Sequence, residues 1–347
     1  MYQRDGQVYL EKECPEHGAF STMVWGEGLD YHAWMQNRPN LDEAGAGDIA
    51  QSTAPCPQGC ADCSQHAVRP CCVLLEVTAR CNLGCPVCFA SATASEQSPY
   101  NSSTQGHDLA AESGCGKDPS LADIALRLER LYAQAGACHI QLSGGEPTLR
   151  DDLPEIIGLG RRFGFSYFQL NTNGLRLAAE PVLAKNLKAA GLTCVFLQFD
   201  GVTEQPYRLL RGQALLAAKQ QAIANCAAAR LPVVLVPTVA KGINCDQAWA
   251  IIRYGISLSP VVRGVHFQPL SFFGRCPFDP VEQRITIPEL LMLLEEQSNA
   301  QILAKHFTGG SVENPYCSFN ANYLIADDGE LEHLGGGSSC CGSNDPV

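Results

Sequence analysis

The chain of 347 residues has no apolar run near the ~18 residues that a membrane span requires. Its opening, Met1 to Lys12, is polar and holds no apolar core of a signal peptide. These absences predict a cytoplasmic protein with no transmembrane segment. Basic residues are scarce. Only 24 Lys and Arg stand against 36 Asp and Glu, a formal net charge of −12. That balance argues against a general nucleic-acid surface or an anionic-membrane surface, so no nucleic-acid partner is expected. Apolar residues still make up 46% of the chain, enough for a sizeable core.

Cysteine is present in excess, with 18 copies. A small secreted protein would pair so many as disulfides, but this chain is large and shows no export signal. Clustered thiols therefore read as metal ligands. Isolated cysteines in apolar runs are different, and Cys138, Cys194 and Cys226 read as small buried hydrophobes.

Residues 1–72 are rich in turn formers and cysteine and show little periodicity, which predicts a small Cys-rich metal-binding appendage. From Val73 the pattern changes. Six β-rich runs appear at Val73–Thr78, His139–Ser143, Tyr167–Asn171, Cys194–Phe199, Val233–Thr238 and Val265–Pro269. Helical periodicity fills the gaps at Ser120–Gln134, Leu153–Phe163, Pro181–Ala190, Gln213–Arg230, Asp246–Leu258 and Pro288–Gln297, with Ser120 placed as an N-cap. Strands alternating with helices predict an α/β fold, a partial (β/α)6 barrel over residues 73–300. Function then belongs at the C-terminal strand ends. The Ser/Gly/Ala-rich segment 91–119 reads as a loop over one mouth of the barrel. Residues 301–347 read as a C-terminal extension ending in a Gly/Ser tail that carries Cys340 and Cys341.

Two motifs fall on consecutive strand ends. Cys81, Cys85 and Cys88 follow the first strand with C-x3-C-x2-C spacing, which gives three thiolates to a [4Fe–4S] cubane and leaves its fourth iron without a protein ligand. A structural zinc would want four closed ligands. Gly144, Gly145, Glu146 and Pro147 end the second strand. The glycines allow close backbone approach and Glu146 can accept from a bound ammonium, though an ordinary strand-to-helix turn has the same composition.

Together these motifs resemble the radical S-adenosylmethionine superfamily over roughly residues 73–300. The resemblance implies that Cys81, Cys85 and Cys88 hold the catalytic cluster and that Gly144, Gly145, Glu146 and Pro147 line the methionine site. It further implies cosubstrate contacts at Asn173, at Gln198 and Asp200, and near Pro237 on the next three strand ends. A flavodoxin or ferredoxin would supply the electron, and a 5′-deoxyadenosyl radical would attack an unactivated substrate carbon.

A narrower resemblance, to archaeal tetraether lipid synthases and their bacterial relatives, rests on Glu13–Gly18, Cys56–Cys63, Glu76–Ala90 and Gly264–Gly274. It implies a lipid or other apolar chain as substrate, with Phe267, Leu270, Phe272 and Phe273 as candidate tunnel residues or core. It also implies one or two auxiliary [4Fe–4S] clusters. Cys56, Cys60 and Cys63 repeat the cluster spacing, with a zinc knuckle as the competing reading. Cys276 and Cys317 are candidates to complete such sites, as are Cys71, Cys72 and Cys245. The leading C-x2-C of a rubredoxin-like site is missing, Cys14 has no evident partners, and His17 and His66 read as turn histidines. The tail resembles a bacterial subgroup ending in a Cys-Cys-Gly or selenocysteine redox segment, which makes Cys340 and Cys341 a candidate dithiol. A peptide or small-molecule substrate stays open, as do a non-catalytic iron–sulfur carrier and a zinc-stapled binding protein.

Overall fold

The computed structural model describes residues 1–36, 71–94, 118–310, 315–327 and 329–335. Cys56, Cys60, Cys63, His66, Cys340 and Cys341, with most of the 91–119 loop, lie outside them. The chain divides into two compact units, residues 48–283 and residues 1–47 with 284–347.

The first of these units contains six strands: β1 (Cys72–Thr78), β2 (His139–Gly144), β3 (Phe168–Thr172), β4 (Cys194–Gln198), β5 (Val233–Val236) and β6 (Val262–Val265). They form one parallel sheet in chain order from β1 to β6, with helices in the crossovers. This is a partial (β/α)6 barrel. Each strand buries one face while the other is in part only half-buried, as the alternation of His139 and Gln141 with Ile140 and Leu142 in β2 shows. Ile140, Leu142, Phe168, Leu170, Val195, Leu197, Val233 and Leu235 are fully buried, and Ile156 and Ile157 pack on them from the helix Leu153–Arg162. Cys138, Cys194 and Cys226 are buried too, and burial raises each thiol pKa. Ser120 caps the helix Leu121–Ala135, with Asp123 closing a reciprocal capping box.

The sixth strand starts earlier than its sequence run. Its ladder nevertheless continues: the N–H groups of His266, Gln268 and Leu270 donate to the carbonyls of Leu235, Pro237 and Val239 at 2.8, 2.9 and 2.8 Å. Pro269 falls between two donors, so its missing N–H costs no ladder bond. Among the helices that escape the sequence pattern are Leu175–Ala179 and Glu204–Arg211. The first is barely more than a turn. The second buries Pro206, Tyr207, Leu210 and Arg211, so a charge interrupts its apolar stripe.

In the other unit, Tyr2–Arg4, Gln7–Cys14 and Gly18–Trp25 form an antiparallel sheet. Both faces of this ribbon are largely exposed. It therefore lacks the alternation that marks a half-buried strand, which explains why residues 2–25 show little periodicity. Trp25 is 1% exposed and packs against Tyr31, Trp34 and Tyr316. The helix expected at Pro288–Gln297 forms as Ile287–Gln297 and belongs to this unit, where Thr286 Oγ1 accepts from Gly26 N at 3.1 Å.

Candidate active site

The C-terminal end of β1 runs through Thr78 into Arg80–Cys81, and Cys81, Cys85 and Cys88 share one apolar pocket with Leu83, Leu175, Tyr207 and Leu215. Burial pushes the Cys81 thiol up to about 12. Burial also raises Cys85, against the pull of the nearby Arg211 charge. Among the described residues no three His, Cys, Asp or Glu side chains converge tightly enough for a single metal ion. A cubane makes a different demand, because each thiolate binds its own iron and the ligands stand farther apart. Three mutually interacting thiols in a dry pocket, with two buried cations nearby, fit an anionic cluster that takes them up as thiolates.

The Gly-Gly turn packs onto the backbone that leads into this loop. Gly145 N donates to Thr78 O and Glu146 N to Arg80 O, each at 2.8 Å. A Cβ on Gly144 (φ +138°) would stand 2.0 Å from Thr78 O, and one on Gly145 2.2 Å from Arg80 O. Only glycine tolerates that approach. Glu146 is 1% exposed. Its Oε1 accepts from Thr148 N at 3.1 Å, Thr148 Oγ1 at 2.5 Å and Thr172 Oγ1 at 2.6 Å, and its Oε2 accepts from Asn173 N at 2.7 Å. The carboxylate thus ties the ends of β2 and β3 together. Pro147 starts the short 3-10 turn that Glu146 caps.

The remaining candidates also fall at strand ends. Asn173 Nδ2 donates to Asn82 Oδ1 in the cysteine loop at 2.7 Å. Asp200, fully buried after β4, receives Arg211 Nε and Nη2 at 2.8 Å each and Thr238 N at 3.1 Å. Lys219, also fully buried, donates to Asn173 O and to Gln198 Oε1, the latter at 3.1 Å. Pro237 O is taken by the sixth-strand ladder. Cys276 packs on the apolar cluster that holds Val87 and Leu270, next to the cysteine loop. Cys317 is exposed in a 3-10 turn of the other unit. Cys14 Sγ lies 3.3 Å from His17 Nδ1 at the hairpin turn, so that cysteine and histidine are neighbours.

Sequence reasoning missed Arg211, Lys219 and Arg275. A signal existed for Lys219, which shares an apolar face with Ala222, Ile223 and Cys226. Burial pushes its ammonium down to about 8, with Asp200 opposing. Between that value and the ordinary 10.5 the folded chain holds less of this proton than the unfolded chain does. Stability from this site therefore rises with pH across that window, and the penalty is fully present below it. Lys219→Met is expected to flatten that rise relative to wild type, read as urea midpoints at pH 8, 9 and 10.

Comparison with known proteins gives this constellation its class. The family model described as Radical SAM superfamily matches residues 75–255, and the chain belongs to that superfamily. Membership brings a [4Fe–4S] cluster, S-adenosylmethionine and a need for an electron donor. A second model, the HMPTM N-terminal zinc ribbon domain, matches residues 1–26. The chain is 39% identical to the 7,8-dihydro-6-hydroxymethylpterin dimethyltransferase of Methanocaldococcus jannaschii over 88% of its own length, and spans 57% of that enzyme. It is 28% identical to a probable GTP 3′,8-cyclase of Methanothermobacter thermautotrophicus, covering 74% of this chain and 82% of that one. The fold also matches the [FeFe]-hydrogenase maturase HydG at a TM-score of 0.50 and 13% identity, covering 72% of this chain and 54% of that one. No described helix is long and apolar enough to cross a membrane.

Proposed function

We propose that the chain modifies a carbon of a reduced pterin or similar small heterocycle, with its cluster held by Cys81, Cys85 and Cys88. The observation that carries the substrate class is the 39% identity to the pterin dimethyltransferase across 88% of this chain. Held there and reduced, a cluster would supply the electron for cleaving S-adenosylmethionine into methionine and a 5′-deoxyadenosyl radical. The chain's residues supply the rest. Gly144 to Pro147 shape the turn beside the cysteine loop, while Asn173, Gln198, Asp200 and Pro237 occupy strand ends where a cosubstrate is positioned. Apolar neighbours around the cysteines exclude water from a reactive radical. A flavodoxin or ferredoxin delivers the electron, and Cys56, Cys60 and Cys63 hold an auxiliary cluster.

The lipid reading finds less support. Leu270 is 4% exposed and packs among Val87, Leu210, Ala240 and Ile243, and Phe267 is 8% exposed. Both behave as core, whereas Phe272 is only partly buried and Phe273 is 62% exposed.

The test is anaerobic incubation of the reduced enzyme with S-adenosylmethionine and 7,8-dihydro-6-hydroxymethylpterin. Formation of 5′-deoxyadenosine is expected to rise when the pterin is present, with a mass shift on the pterin. Stimulation by an isoprenoid ether lipid and none by the pterin would reverse the substrate assignment.

A further inference from the structure

The backbone between the second and third cysteines is held from two sides. On one side, Val87 N donates to Leu210 O at 3.3 Å and Arg211 Nη1 donates to Val87 O at 3.3 Å. On the other, the segment after β6 returns to the loop as an isolated antiparallel bridge between Cys88 and Arg275. Cys88 N donates to Arg275 O at 2.8 Å and Arg275 N to Cys88 O at 2.9 Å. The Arg275 side chain then reaches across, with Nε donating to Cys85 O at 2.8 Å and Nη2 to Ala92 O at 3.1 Å. One residue thus bonds to two ligand-bearing residues and to the chain beyond them. The preceding Gly274 (φ +68°) permits this contact, since a Cβ there would stand 2.4 Å from Phe89 O and 2.6 Å from Cys88 O.

We propose that Arg275 is a positioning residue for the iron–sulfur cluster. It fixes the loop between the second and third ligands and sets a permanent positive charge beside them. The proposal rests on Cys81, Cys85 and Cys88 being the cluster ligands. Two consequences follow from the chemistry. A guanidinium stays charged and offers a fork of donors, so it holds two carbonyls at once in a way a single donor does not. A positive charge next to an anionic cluster favours the extra electron, so the charge raises the reduction potential.

The experiment uses the full chain, reconstituted anaerobically, as wild type, Arg275→Met, Arg275→Gln and the triple Ala variant of the three cysteines. The signal that the triple variant lacks is followed by electron paramagnetic resonance during a redox titration, and iron release to a chelator is timed. Arg275→Met is expected to lower the midpoint potential and to release that cluster's iron about tenfold faster, the scale on which outer partners of metal ligands act. Arg275→Gln keeps a donor without the charge. It is expected to lower the potential as Arg275→Met does while releasing iron at a rate between those of wild type and Arg275→Met. Should Arg275→Met not fold, the potential of Arg275→Gln decides alone. A signal lost in the triple variant but unmoved in potential by the Arg275 variants overturns the proposal. A signal that persists in the triple variant overturns the ligand assignment beneath it.

Discussion

Replacing Cys81, Cys85 and Cys88 together by Ala is expected to remove one cubane's worth of iron and to reduce 5′-deoxyadenosine formation to background. The three thiols share one pocket with Leu83, Tyr207 and Leu215. Burial holds the Cys81 and Cys85 thiols above their ordinary pKa, so without a metal they stay protonated and inert. A cluster bound there would take up the thiols as thiolates and release those protons. Alanine suits an apolar pocket, and the loop keeps its backbone bonds at Val87 and Cys88. The variant should therefore fold, with a far-ultraviolet circular dichroism spectrum like that of the metal-free wild type. Iron and sulfide counting with a cleavage assay checks the result. Cleavage at the wild-type rate would sink the assignment.

The barrel was legible because its strands and its helices each bury an apolar face in one core. Runs such as Cys194–Phe199 and Val233–Thr238 announce themselves without help from tertiary context. The N-terminal sheet was not legible, because its ribbon leaves both faces largely exposed and selects no alternation. The same division holds within the site. Cys81, Cys85, Cys88 and the turn at Gly144 to Pro147 carry their meaning in local spacing. What Glu146 does locally became visible only in three dimensions, since its partners Thr172 and Asn173 belong to the next strand end. Arg211, Lys219 and Arg275 act on carbonyls and side chains far away in sequence, and no period or spacing encodes such a partner.

Arg211→Met is expected to cost about 3–5 kcal/mol of folding stability, the range found when one partner of a buried ion pair is removed. The side chains of Arg211 and Asp200 are 7% and 0% exposed. Exposed pairs set the contrast: Arg4 and Asp5, at 75% and 85% exposure, belong to a class worth about 0–1 kcal/mol. Burial makes the difference. Without the guanidinium, the Asp200 carboxylate keeps Thr238 N at 3.1 Å as an acceptor contact but loses both charged donors. Lys219 stands too near to be indifferent, since Asp200 supports its charge. Removing the orphaned carboxylate should recover part of the loss, offset by the support that the Lys219 ammonium then loses. Asp200→Asn with Arg211→Met retains an oxygen for Thr238 N and buries no uncompensated carboxylate. The double variant is expected to be more stable than Arg211→Met alone, a non-additivity that a double-mutant cycle in urea measures directly. Equal stability of the two variants, or a loss below about 1 kcal/mol for Arg211→Met, would mean that water reaches Asp200 and that the pair does not brace the site.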